Sequence, residues 1–257
     1  MSAFGGACLI IPCYNEAGRL DPEQVSALLD REGLGVLLVD DGSTDGTREL
    51  IDILHDQHPD RVATLCLPDN VGKGEAVRRG IREAMEHGAR MVGYADADFA
   101  TPAFEILRLL DRLEDSGASV VFGSRLLGTG DGIQRSGGRQ FMGAAFASIA
   151  RRIVGIPIAD TQCGAKWFRA DETLRAAMAR RFRSRWAFDV ELLARLHHGK
   201  GQGWPTAAFV EEPLGSWTEM PGSKLTFAAK VVAMFALLSI WNDVRKLRDA
   251  RSGTVPK

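Results

Sequence analysis

Short apolar runs recur at residues 7–11, 35–39, 62–67, 91–94 and 119–122, and each is closed by a polar or glycine-containing turn. Continuous apolar runs of this length read as strands covered on both faces. Between them, residues 21–30, 47–57, 74–87 and 102–116 space their apolar positions three and four apart, which predicts amphipathic helices. Pro22 and Pro102 stand near helix starts, where a missing N–H does no harm. Strands alternating with helices predict βαβ units and a mainly parallel sheet. Ligands of such sheets bind beyond the carboxyl ends of the strands. Four loops, 12–16, 40–47, 69–73 and 96–98, should therefore converge on one crevice.

The rhythm breaks after Arg125. A connection rich in glycine, from Gly128 to Gly138, leads into an amphipathic segment at 142–154 whose Phe146, Ile149 and Ile153 share a face directed at a core. Further helices are expected at 171–178 and 187–198, a strand near 206–210, and a long helix at about 223–249. The expected organisation is one α/β domain over 1–222, divided at about residue 128. A basic amphipathic helical appendage at 223–257 follows.

Charge sharpens this division. Residues 1–128 carry 12 Lys and Arg against 22 Asp and Glu, and residues 129–257 carry 20 against 11. An acidic half suits a metal site, and a basic half suits phosphate or the negative face of a membrane. A nucleic-acid backbone would be repelled by the acidic crevice, so no nucleic-acid partner is expected. Cys8, Cys13, Cys66 and Cys163 show no paired spacing and read as reduced thiols of a cytosolic protein. The N-terminus lacks the basic-then-apolar pattern of a signal peptide. The longest apolar stretch, 225–241, contains Lys230 and is short for a membrane span.

Asp96-Ala97-Asp98 closes the fourth run with two carboxylates one residue apart, a donor set suited to Mg²⁺ or Mn²⁺. Lys73 opens a helix, where the amides and an ammonium favour a diphosphate. Pro12-Cys13-Tyr14-Asn15-Glu16 offers backbone groups and a ring on which a base can stack. Asp40-Asp41-Gly42-Ser43-Thr44-Asp45-Gly46 offers a carboxylate, Asp41, to a base or ribose; the weaker alternative is a plain turn with a helix N-cap at Ser43 or Asp45.

Taken in order, these motifs resemble inverting family 2 glycosyltransferases. The resemblance implies a GT-A fold, a Rossmann-like, mainly parallel sheet flanked by helices. It also implies a nucleotide-sugar site at Pro12, Tyr14, Glu16, Asp41, Lys73 and Asp96, and a metal held by Asp96 and Asp98. By that resemblance 1–128 is the nucleotide-sugar and metal half of the domain and 129–222 the acceptor half. Downstream, Gly123-Ser124-Arg125, Asp160-Thr161-Gln162-Cys163-Gly164-Ala165-Lys166, the stretch from Arg185 to Leu192, and that from Trp217 to Leu225 resemble the polyprenyl-phosphate glycosyltransferases. Ala100 and Trp217 replace a glutamine and an arginine of some mannosyl members, so the likeness is to the dolichyl-phosphate β-glucosyltransferase branch.

The expected reaction moves a hexose, glucose from UDP-glucose first, to a polyprenyl phosphate at the cytoplasmic face of a membrane, with the protein bound peripherally. Catalytic candidates are Asp98, Arg125, Asp160 and Asp189. Arginine forks suit a phosphate, so Arg125, Arg135, Arg139 and Lys224 are candidates for the acceptor phosphate, and Trp217 for the sugar pocket. Asp160 or Asp189 would orient sugar hydroxyls or act as base for a hydroxyl acceptor. The rivals are a family member acting on a hydroxyl, mannosyl transfer from GDP-mannose, and a non-catalytic nucleotide-sugar sensor. The final helix, with Phe235, Leu238 and Trp241 followed by Arg245, Lys246, Arg248 and Arg251, reads equally as an interfacial anchor on an anionic membrane and as a core-packing or homo-oligomer-forming helix.

Overall fold

The computed structural model describes residues 6–127, 133–134, 140–199, 203–220 and 227–252. The first half alternates as expected: β1 (Ala7–Cys13), α1 (Pro22–Leu29), β2 (Leu34–Asp41), α2 (Thr47–Gln57), β3 (Val62–Leu67), α3 (Lys73–Glu86), β4 (Met91–Ala95), α4 (Ala103–Asp115) and β5 (Val120–Ser124). A short strand β6 (Ile133–Gln134) precedes α5 (Gln140–Val154), β7 (Ala165–Arg169), α6 (Glu172–Met178), α7 (Phe188–His198), β8 (Phe209–Pro213), β9 (Trp217–Thr218) and α8 (Phe227–Ser252).

Seven strands form one sheet in the order β3-β2-β1-β4-β7-β5-β8, and β6 pairs with β9 in a separate ribbon. Six of the seven run parallel, and β7 enters antiparallel between β4 and β5. The strand order reverses between β1 and β4, and it is there that a mainly parallel sheet opens a crevice at its carboxyl edge.

Alternation along each strand sorts the core into two layers. Leu9 and Ile11 of β1 pack with Val25 and Leu28 of α1, Ile51 of α2 and Ile106 of α4, while Cys8 and Ile10 pack with Val77 and Ile81 of α3. The second layer also holds Val190 of α7 and Leu237 and Ile240 of α8. Phe146, Ile149 and Ile153 of α5 join it, so the face expected to meet a core does so.

Strand β7 was not expected, because the fully buried Lys166 interrupts its apolar pattern. Register explains the lysine's tolerance. Lys166 pairs with Tyr94 of β4 and points to one face, while its neighbour Trp167 is buried in the opposite layer, donating its indole N–H to the Ile106 carbonyl at 2.9 Å. Truncating a tryptophan so placed costs about 3–5 kcal/mol. The strand expected near 206–210 begins three residues later, after a 3₁₀ turn at Thr206–Ala208.

Candidate active site

The four loops meet in a cleft of about 420 Å³ lined by Pro12, Tyr14, Glu16, Asp41, Lys73, Asp96 and Asp98 among others. Side chains lace its floor together. Asn15, with a positive φ of 52°, donates its N–H to Ser43 Oγ at 3.0 Å and receives Thr44 N–H on Oδ1 at 2.8 Å. Thr47 Oγ1 accepts Glu16 N–H at 2.7 Å. The N-cap of α2 is Gly46, not Ser43 or Asp45; Asp45 instead accepts the Thr47 N–H at 3.0 Å.

Asp41 lies in the cleft wall, but both of its oxygens already hold the neighbouring loop, accepting Val71 N–H at 2.7 Å and Gly72 N–H at 2.8 Å. Burial raises its pKa and those two bonds oppose the rise. Gly72 adopts φ +95°, a region costly to side chains, and a Cβ there would meet Arg185 Nε at 2.2 Å. The missing Cβ lets Arg185 lie across the loop, donating to the Asn70 carbonyl at 3.1 Å and to Asn70 Oδ1.

At the end of β4, Asp96 and Asp98 both face the cleft. Phe99, just after the pair, is held at φ +46°, a strained position for a side chain of its size. Lys73 Nζ contacts Asp96 Oδ1, and Arg19 reaches Asp98 Oδ2 at 3.5 Å while Glu16 holds its fork at 2.7 and 2.8 Å. Burial and the negative charge of Asp96 together raise the Asp98 pKa. Burial alone would lower the Lys73 pKa, but Asp96, Asp189 and Asp98 outweigh it and raise the value. Two adjacent carboxylates that relieve their repulsion on nearby cations, with only oxygen donors, fit a hard divalent cation completed by substrate phosphate. Among the described residues no cluster of three or more His, Cys, Asp or Glu offers an all-protein cage.

Arg125, at the end of β5, forms a two-pronged pair with Asp160: Nε to Oδ2 is 2.7 Å and Nη2 to Oδ1 is 2.8 Å. Glu211 on β8 fixes Asp160 in turn, accepting its N–H at 2.7 Å and that of Ala159 at 2.8 Å. The guanidinium stacks over Trp217 with its carbon 5.4 Å from the ring centroid. Glu105 positions that tryptophan by accepting the N–H groups of Gly215 and Ser216 at 2.8 and 3.0 Å. Arg135, Arg139 and Lys224 lie outside the described residues.

Asp189 does not line the cleft. It is buried under it, where Lys166 Nζ donates to Oδ1 at 2.7 Å and the Tyr94 hydroxyl donates to the same oxygen, with Gln162 Nε2 3.5 Å from the other. This network ties β4, β7 and α7 together beneath Lys73, whose ammonium lies 6.0 Å from the Phe188 ring. Arg19, Arg185 and Trp186 line the cleft and were not singled out from sequence. Arg185 and Trp186 stand in one of the matched motifs, and Arg19 follows Glu16 by three residues, signals that could have found them.

The profile of Glycosyl transferase family 2 matches residues 8–174. The chain belongs to that family. A dolichyl-phosphate beta-glucosyltransferase of Drosophila melanogaster is 34% identical over 85% of this chain and 68% of its own length. An undecaprenyl-phosphate mannosyltransferase of Micrococcus luteus is 30% identical over 92% of this chain and 96% of its own. Among solved structures, glucosyl-3-phosphoglycerate synthase from Mycobacterium tuberculosis, in complex with Mn²⁺, UDP-glucose and phosphoglyceric acid, superposes with a TM-score of 0.65. It shares 19% identity, with 93% of this chain and 80% of that one covered. This likeness confirms the GT-A arrangement of the family 2 glycosyltransferase described here. Among the described residues, no helix is long and apolar enough to cross a membrane.

Proposed function

We propose that this glycosyltransferase transfers a hexose, glucose from UDP-glucose, with inversion to the phosphate of a polyprenyl phosphate on the cytoplasmic face of a membrane. The observation that carries the proposal is the Arg125 site: a guanidinium oriented by Asp160 and Trp217, followed directly by Leu126 and Leu127, which are 51% and 44% exposed. A phosphate with a hydrocarbon tail matches a cation beside apolar side chains. Asp160 takes Nε and Nη2, so Nη1 is the edge that meets the phosphate. The acceptor oxygen is already ionised near neutral pH, a phosphomonoester's second pKa being about 6, so it needs positioning more than a base. It attacks the anomeric carbon as the bond to the donor's β-phosphate oxygen breaks, and the electron pair leaves on the nucleoside diphosphate. A divalent cation on Asp96 and Asp98 would neutralise charge on that leaving group. The chain's own cations at the same cleft, Lys73, Arg19 and Arg185, are placed to share that task.

Asp189 then serves as a positioning residue, since its carboxylate holds Lys166 and Tyr94 instead of facing an acceptor. Ala100 and Trp217, together with relatives named as dolichyl-phosphate beta-glucosyltransferases, support glucose, and the fold neighbour that binds UDP-glucose supports UDP. The relatives named as mannosyl enzymes keep mannose as the alternative sugar, with GDP-mannose the donor to test for it. Helix α8 supports membrane contact: Leu237, Ile240 and Val244 are buried against the protein, while Phe235, Leu238 and Trp241 are exposed, with Arg245 and Lys246 following. The helix is apolar on both its packed and its exposed sides, and not strictly amphipathic as expected; exposed apolar side chains followed by basic residues can bind anionic lipid.

The test is a panel of labelled UDP- and GDP-hexoses incubated with a polyprenyl phosphate and, separately, with hydroxyl acceptors. Label entering the organic phase from UDP-glucose supports the proposal. Transfer to a hydroxyl acceptor alone would overturn it.

A further inference from the structure

Each carboxylate of the acidic pair has one of the chain's own cations against it. Lys73, the first residue of α3, contacts Asp96 Oδ1; Arg19, anchored by Glu16, stands 3.5 Å from Asp98 Oδ2. The two cations differ in freedom. Arg19 is pinned by two bonds to Glu16 and remains at a distance from Asp98, whereas Lys73 reaches Asp96 on a flexible four-carbon stem. An ammonium on Oδ1 leaves the other oxygen open, but it repels a divalent cation brought to the same carboxylate and so weakens that cation's binding. Lys73 also sits at the N-terminus of α3, just beyond the Gly72 amide, in the position that favours phosphate oxygens. One ammonium therefore lies between two anionic partners, a fixed one in Asp96 and an incoming one in the diphosphate.

We infer that Lys73 is an internal counter-cation that pairs with Asp96 in the donor-free enzyme and leaves it for the donor's diphosphate, so that Asp96 binds a divalent cation more tightly when the donor is present. The inference rests on the nucleotide-sugar reading above and adds a coupling to it. Donor and cation then tighten each other's binding by more than their direct contact provides, and the cleft resists loading with cation alone. Gly164 favours the same exchange by letting Asp96 stay in one place: a Cβ on it would lie 2.1 Å from Asp96 Oδ2.

The test is a titration of the full chain with Mn²⁺, read by electron paramagnetic resonance of the free ion, with and without UDP or GDP, for the wild type, Lys73→Met, Lys73→Gln and Asp96→Asn. Using two Lys73 variants keeps the test decisive if one misfolds. Couplings of this kind are typically about 5–150-fold. Mn²⁺ binding without nucleotide should tighten by about tenfold in the Lys73 variants, the enhancement by nucleotide should shrink by a similar factor, and Asp96→Asn should lose binding in both conditions. If the Lys73 variants bind Mn²⁺ without nucleotide no more tightly than the wild type while their nucleotide affinity falls, Lys73 is a phosphate ligand only and the inference is overturned, with the nucleotide-sugar reading intact. If the wild type binds neither nucleotide nor Mn²⁺, both are overturned.

Discussion

Replacing Gly164 with alanine should separate catalysis from folding. The added methyl would lie 2.1 Å from Asp96 Oδ2 and 2.4 Å from Cγ, where ordinary contact is 3.4–4 Å. The carboxylate must therefore retreat by roughly 1 Å or more, and a displacement of that size costs about 10²-fold in rate. Asp96 is 36% exposed and can swing toward solvent, so backbone and core stay in place. The stability cost should sit at the low end of overpacking, about 1 kcal/mol, or about 2–4 °C in Tm for a domain of this size. The assay pairs kcat/KM for sugar transfer with thermal melting, and adds the double variant with Asp96→Asn. If Gly164→Ala acts through Asp96, it should cost little more on top of Asp96→Asn, because the two changes remove the same interaction. Full activity in Gly164→Ala, or additive losses in the double variant, would refute this placement of Asp96.

Three further outcomes are expected. Asp160→Asn should destabilise the fold and raise KM for the acceptor; burial opposes ionisation of Asp160, but Arg125 outweighs it and holds the pKa below the usual range. That contribution is fully present above the ordinary carboxylate pKa and is lost as pH falls through the lowered native value, so wild type and variant should converge in chemical denaturation at acid pH. The loss at neutral pH should be about 1–3 kcal/mol, less than for a fully buried pair because Arg125 is 29% exposed. Arg185→Ala should weaken donor binding in calorimetry without changing acceptor KM, since its hydrogen bonds are to the Asn70 loop. Replacing Phe235, Leu238 and Trp241 together by serine should reduce co-sedimentation with anionic vesicles by about tenfold or more, and unchanged sedimentation would remove α8 as the contact.

Much of this architecture was legible because β1, β2, β4 and β5 are buried on both faces and so read as nearly unbroken apolar runs, while the edge strand β3, half-exposed along its middle, was still marked by its apolar composition. Strand β7 escaped because its charge balance is tertiary: Lys166 is tolerated only once Asp189 and Tyr94 surround it. The loops that build the cleft were recognisable from their motifs, as were the places of Lys73, Asp96 and Asp98. Their pairing was not, since the contact between Lys73 and Asp96 spans 23 residues and depends on two adjacent loops. Arg185 was hidden for the same reason: its side chain crosses from the segment before α7 to a loop 115 residues earlier. Helix α8 was open to two readings; Leu237, Ile240 and Val244 pack into the core as the packing reading expects, and the anchor is proposed from the exposed Phe235, Leu238 and Trp241.

The measurement that bears most directly on the proposed reaction is transfer of labelled glucose from UDP-glucose into an organic-extractable polyprenyl phosphate, with wild type, Asp98→Ala and Arg125→Ala compared at equal folded concentration. Label in the lipid for the wild type, lost in both variants, with the product's anomeric configuration opposite to the donor's, is the expected result. Lipid labelling that persists in Arg125→Ala would contradict the acceptor site, and a wild type that turns over the donor without labelling lipid would contradict the reaction itself.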